Sequence, residues 1–360
     1  MRVYLGKNHR QGGTYMSEQA WMLETLMKIL NTESPTGYTD KVAALLEELL
    51  RGLSLRPWRT HKGNVVCELG GEGSPLVLAA HVDTLGAMVR SVKANGRLRL
   101  SQIGGYPWTA IENENCKVFG WDGREHTGCI YLTTTSSHVY KGVGEVKRDD
   151  ATLELVLDEN LHSAEEVKAL SIGAGCFVSL DPRAVLTPSG YIKSRHLDDK
   201  ASSAILLRLA KAVAEGTLAP SRKLYLVFTV HEEVGHGACA GLPEDAVDIL
   251  SVDMGCVGED LGCDETMVSI CAKDSRGPYN HAMTARLREL AEEKGIAYAV
   301  DLYPAYGSDA DAALASGHNL RHALIGPGVF ASHGYERGHV EGLENTYRLL
   351  EAFVQDTKTL

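Results

Sequence analysis

The sequence predicts an α/β fold, a mostly parallel sheet with helices on both faces, interrupted by a small all-β insert. Three observations predict it. Short apolar runs at 75–80 (PLVLAA), 223–230 (KLYLVFTV) and 248–252 (DILSV) read as strands buried on both sides. After residue 190 such strands alternate with long helical segments, the pattern of a parallel sheet with crossover helices. Between about 93 and 188 turn dipeptides (Asn95-Gly96, Gly104-Gly105, Asp122-Gly123) separate short β-branched runs, the texture of a small all-β unit.

In chain order, Ser17–Leu30 reads as a helix by the spacing of Leu23, Met27 and Leu30, with Ser17 as N-cap. A second helix runs from Asp40 to Leu53 and buries Val42, Leu45, Leu46 and Leu49. NVVCEL and PLVLAAHVD are strands. Within the insert only SAEEVKAL suggests a helix. Long helices follow at DKASSAILLRLAKAVAEG, HAMTARLRELAEEKG and VEGLENTYRLLEAFVQ, and the last places Leu343, Tyr347, Leu350 and Val354 on one face. Residues 16–92 and 190–360 are therefore expected to form one discontinuous catalytic domain around a β-rich insert at 93–189. Residues 1–15 read as an N-terminal arm.

Composition narrows the function. The 360 residues carry 36 Lys+Arg against 47 Asp+Glu, a net charge of −11, which argues against nucleic acid or an anionic membrane as partner. No window approaches 18 consecutive apolar residues, and the basic N-terminus lacks the apolar stretch of a secretory signal. Eight scattered cysteines without a C-x-x-C pair suit a reducing, cytoplasmic setting. A metal site here must therefore be built from histidines and carboxylates.

Such residues gather where ligand sites of open α/β sheets form, beyond the carboxyl ends of strands. His81 and Asp83 end the strand PLVLAA, Glu232-Glu233 follow KLYLVFTV and Asp253 follows DILSV. Asp198-Asp199 open a helix, and His333 lies in the loop before the last one. Singly, each has an ordinary explanation as a helix cap, a loop charge or a satisfied histidine. Jointly they have the layout of a dinuclear metal site. Imidazole and carboxylate donors without thiolate suit two divalent ions, zinc first, with cobalt or manganese as alternatives. His81, Asp198, Glu233, Asp253 and His333 are the candidate ligands, with Asp198 as bridge. Glu232 is left over as the general base for a metal-activated water, and the Asp83 carboxylate is expected to accept the far ring N–H of His81.

HVD after a strand, LDD at a helix start, EEVG, VDMG and HGYE occur in the order seen in the glutamyl aminopeptidase family. These are dinuclear-metal enzymes with a zinc-exopeptidase-like catalytic domain, whose tetrahedral members form hollow dodecamers. FVSLDPRAV, KSRHLDDKAS, GSDADAAL and LIGPGVFASHGYE also resemble that family, over residues 18–357 in all. The resemblance implies His81 and Asp253 on one metal, Glu233 and His333 on the other, and Asp198 between them. It implies Glu232 as base, Asp83 as partner of His81, and residues 93–189 as a dimerisation domain leading to a homo-oligomer. It also implies peptides as substrates, cleaved at the N-terminal residue. Lys200 and Gly334 depart from the family, which commonly has Arg and Ser there.

A deacylase or carboxypeptidase-like amide hydrolase on the same catalytic domain is the main rival. A glycosidase would use two carboxylates but leave His81 and His333 idle, and a binding protein without turnover would leave Glu232 idle. His196, His231 and His236 read as structural or peripheral, and His339 as a weaker ligand candidate than His333, which the HGYE context favours. Ser308, Asp309 and Asp311 read equally as a helix cap or as the lining of a substrate pocket. Gly70–Gly73 is a turn without the G-K-[ST] of a phosphate loop, and Ser202-Ser203 lack the setting of a nucleophile elbow.

Overall fold

Four parallel strands make the centre of the main sheet, in the order Leu224–Thr229, Leu76–His81, Asp248–Val252 and Arg321–Phe330. The first three are buried at every residue, because their alternating side chains enter two different cores. Leu76, Leu78 and Ala80 pack with Leu226 and Phe228 on one face, while Val77 and Ala79 pack with Tyr225, Val227 and Ile249 on the other.

The computed structural model describes residues 13–358, with side chains from residue 18 onward. Its helices are α1 (Gly13–Leu30), α2 (Asp40–Gly52), α3 (Ala164–Ala169), α4 (Leu197–Ala214), α5 (His281–Lys294), α6 (Asp309–Ala315) and α7 (Val340–Val354). Helices α1, α2, α4, α5 and α7 supply the first core and α6 the second. Leu343, Tyr347, Leu350 and Val354 are all buried, as their spacing predicts. In α2 the buried face is Val42, Ala43, Leu46 and Leu50, rotated from the expected one, and Leu45 and Leu49 pack at its margin. The rims of the sheet are antiparallel: Val65–Gly70 lies beside Leu224–Thr229, and Val268–Lys273 beside Arg321–Phe330.

The β-rich region closes into a six-stranded barrel with its own core, including Val89, Leu100, Val118, Ile130, Leu155 and Val178. Its first strand is Gly86–Val92, which pairs with Leu98–Ile103 and with Phe177–Leu180. The barrel thus begins before residue 93, because that strand follows HVDTL with no turn signal to mark the change of partner. Helix α3 opens on a capping box, with Ser163 and Glu166 each accepting the other's backbone N–H. The expected N-terminal arm, 1–15, lies mostly outside the described residues, and α1 begins at Gly13 rather than Ser17.

Register carries the functional residues to one level. Thr229 pairs with His81 and Ser251 with Ala79, so the chain leaving Thr229 and Val252 does so beside His81. Gly326 makes this possible on the next strand. A Cβ there would fall 1.7 Å from the Asp253 carbonyl oxygen. Gly326→Ala is therefore expected to cost about 1–3 kcal/mol of stability through overpacking, read as a lower denaturant midpoint; an unchanged midpoint would contradict the close approach.

Candidate metal centre

Asp198 lies between two groups of side chains. Its Oδ1 is 3.0 Å from His81 Nε2, and its Oδ2 is 3.3 Å from His333 Nε2. His81 Nε2 is also 4.0 Å from Asp253 Oδ2, and His333 Nε2 is 3.7 Å from Glu233 Oε2. The structure therefore brings together all five sequence-predicted ligands, as two half-sites sharing one carboxylate. Glu232 stands at the first half-site, its Oε2 3.7 Å from His81 Nε2. It also lines a groove of about 800 Å³ with Glu233, Arg276, Tyr306, Ser308, Asp311 and His322.

The neighbouring chain holds these groups in place. Asp83 does so differently from expectation. His81 Nδ1 lies 3.0 Å from the main-chain oxygen of Asp83 and 3.6 Å from its Oδ1. The carboxylate accepts instead the backbone N–H groups of Glu232 (3.1 Å) and Glu233 (3.3 Å) and the Thr36 hydroxyl (2.7 Å). It thus fixes the turn that carries the two glutamates. Asp309 anchors the far end of that turn, accepting from Thr229 Oγ1 and Ala238 N. Ser203 Oγ donates to the His81 carbonyl.

Two residues were missed by sequence reasoning. Asp199, fully buried, accepts the His81 backbone N–H through Oδ2, and its carboxylate lies near the ring of His81 and the carboxylate of Asp253. The Asp-Asp pair was the only signal for it, and the pair also fits a helix cap. Glu336 is buried and accepts the N–H of Asp198 (3.1 Å) and of His333 (3.0 Å), tying the bridge to the second histidine. It was visible only as the last letter of HGYE.

The other candidates lie outside the cluster. His196 is buried rather than solvent-facing, at the N-cap of α4 with a left-handed backbone. His339 caps α7, and the His231 and His236 rings stack at 5.0 Å beside the glutamates. Ser308 and Asp311 form the cap of α6, and both also line the groove. Lys200 donates to the Thr32 carbonyl. All eight cysteines are free.

The charge of the site is unbalanced. Burial, then neighbouring acids, pushes the carboxyls of Glu232 and Glu233 well above the usual range, and that of Asp253 up to about 7. Burial would likewise raise Asp198, but hydrogen bonds with His333 and His81 outweigh it and hold it low. The same bond to Asp198 overcomes burial at His333 and pushes it up to about 10. Buried Asp253 Oδ1 and Asp199 Oδ1 have no hydrogen-bond partner. Hard oxygen and imidazole donors, orphaned and short of positive charge, fit divalent cations.

Comparison with known proteins agrees with this chemistry. Residues 63–349 match the family model of the M42 glutamyl aminopeptidases. The chain is 43% identical over 335 residues to "Putative aminopeptidase YhfE" of Bacillus subtilis (strain 168), covering 92% of this chain and 97% of that one. Its fold is similar to an aminopeptidase of the archaeon Desulfurococcus kamchatkensis (TM-score 0.82, 24% identity, 94% and 95% of the two chains). It is also similar to the Pyrococcus horikoshii TET1 peptidase (TM-score 0.81, 22% identity, 93% and 99%). The chain belongs to the M42 glutamyl aminopeptidase family. It is a metallo-aminopeptidase, and the deacylase and carboxypeptidase-like alternatives are not favoured.

The charge imbalance sets the pH response of protein stripped of metal. Asp253, Glu232 and Glu233 bind protons more tightly folded than unfolded, so stability falls as pH rises from the ordinary carboxylate range towards 7. His333 acts with the same sign, its contribution being lost from its ordinary value of 6.5 up to about 10. Chelator-treated protein should melt at a lower temperature at pH 8 than at pH 5, and added Zn²⁺ should raise the melting temperature more at pH 8. A profile flat in pH and indifferent to cation would contradict this account.

Proposed function

We propose that this chain removes N-terminal residues from peptides with two divalent cations, zinc foremost, held by His81, Asp198, Glu233, Asp253 and His333. The observation that carries the reading is the placement of Asp198, each of whose oxygens faces a different histidine–carboxylate set. His81 and Asp253 would hold one ion and Glu233 and His333 the other. Asp199 adds an acid beside the first. Bound there, the cations would supply positive charge that acidifies a water and polarises a substrate carbonyl.

The remaining chemistry belongs to the chain. Glu232 takes a proton from the attacking water and returns it to the leaving amine. Its raised pKa without cations follows from burial and surrounding acids, so cations would restore its carboxylate form. Asp83 positions Glu232 and Glu233 through their backbone N–H groups. The groove beside Glu232 would receive the side chain of the N-terminal residue, and the acids that line it would attract the free α-ammonium.

The catalytic domain in this reading is the sheet with its helices, and the barrel pairs chains. Trp121, Val139 and Tyr140 are exposed in connections of the barrel. The TET1 peptidase, similar over nearly its whole length, can assemble into a tetrahedron or a large octahedral shell, which supports a homo-oligomer built from dimers, a dodecamer included. Among the described residues no helix is long and apolar enough to cross a membrane, and eight free cysteines support a cytoplasmic setting.

Zinc-loaded wild-type enzyme should hydrolyse free-amine aminoacyl anilides and spare their N-acetyl counterparts. Glu232→Gln should keep its two metals by elemental analysis and lose about 10²–10⁴-fold in turnover. Normal turnover in that variant would remove Glu232 as base, and equal activity on acetylated substrates would overturn the exopeptidase reading.

A further inference from the structure

The loop that carries His333 is not held by the main sheet alone. Ala331 and His333 both adopt left-handed backbone, at φ 58° and 62°, which is uncommon outside glycine and costly for alanine. What holds them comes largely from the barrel, through the connection between the strands Leu98–Ile103 and Asn115–Phe119. His333 Nδ1 is in hydrogen-bond contact with the carbonyl of Gly105. Donation of the Nδ1 proton there fixes the tautomer and leaves the Nε2 lone pair facing Asp198 and Glu233.

Two arginines tie the rest of the loop to the same connection. Arg195, almost wholly buried, donates from Nη1 to the carbonyl of Gly334 (3.2 Å), and its Nη2 contacts the Ala110 carbonyl. Arg183 lies with its guanidinium 4.0 Å from the centre of the Tyr335 ring, and the Tyr335 hydroxyl donates to the Arg183 carbonyl (2.9 Å). Both arginines converge on one acid of the barrel. Glu114 Oε1 is 2.7 Å from Arg183 Nη2 and 3.2 Å from Arg195 Nη2. Glu114 is itself buried, and its backbone joins the barrel ladder by accepting from Ile130 N (3.0 Å). A buried carboxylate between two guanidiniums, which hold Gly334 and Tyr335 immediately after His333, is a clamp.

We propose that Glu114 is a positioning residue for the second half-site. It orients Arg195 and Arg183, these fix the 331–335 turn, and the turn presents His333. The inference rests on the metal-centre reading above, and it makes the barrel part of that centre as well as a contact surface. Removing the barrel to test assembly would then also disturb the Glu233–His333 half-site while leaving the His81–Asp253 half-site less affected.

The test is a calorimetric titration of chelator-treated full-length protein with Zn²⁺, comparing wild type, Glu114→Gln and Glu112→Gln. Glu112 lies on the same connection but pairs with Arg148, away from the His333 turn, so its variant controls for general loosening of the barrel. Wild type should bind two equivalents. Glu114→Gln should weaken one equivalent by about 10–100-fold and leave the other near the wild-type value, with an unchanged circular dichroism spectrum. Glu112→Gln should match wild type. A general loss of stability would weaken both equivalents or change the spectrum, and that outcome would overturn the proposal. Two wild-type affinities in Glu114→Gln would overturn the clamp while sparing the metal-centre reading. Fewer than two equivalents in wild type would overturn both.

Discussion

The structure is organised around a concentration of negative charge that it cannot balance by itself. Asp198, Asp199, Glu232, Glu233 and Asp253 meet beyond the carboxyl ends of buried strands, and among the described residues His81 and His333 are the basic side chains paired with them. Buried carboxylates without counter-charge are costly, and neighbours of like sign raise the cost further. Such an arrangement is stable when positive charge is brought to it. Asp198 is the pivot, since it contributes one oxygen to each histidine.

Much of the surrounding fold fixes those donors against their repulsion. The parallel register sets the turns after Thr229 and Val252 beside His81. Asp83 then takes up the backbone N–H groups of the glutamate turn, Asp309 holds its far end, and Glu336 links Asp198 with His333. These acids bind amide hydrogens, so the chain's own polar groups orient the site. The barrel adds a further constraint through Gly105 and through Glu114, which pairs with Arg195.

The sheet and the gathering of acids and histidines at its edge were legible in sequence because both follow short-range rules. Continuous apolar runs mark strands covered on both faces, and polar residues just beyond them mark the ligand edge. Residues acting through backbone contacts were less legible. Nothing in HVD distinguishes an Asp83 turned to the ring of His81 from one turned to the N–H of Glu232, 149 positions away. Asp199 acts on His81 and Glu336 on Asp198, each more than 100 positions away, so no local pattern reports those contacts. The barrel's first strand was hidden for a similar reason: Gly86–Val92 follows closely on a sheet strand, and its pairing with Leu98–Ile103 and Phe177–Leu180 assigns it. Glu114 had no motif at all.

The central claim is that Asp198 bridges two cations. Anomalous diffraction from crystals grown with Zn²⁺ tests it most directly. The account predicts two peaks about 3.5–4 Å apart, one beside His81 and Asp253, the other beside Glu233 and His333, with one Asp198 oxygen directed at each. A single peak, or two peaks of which Asp198 touches only one, would contradict it.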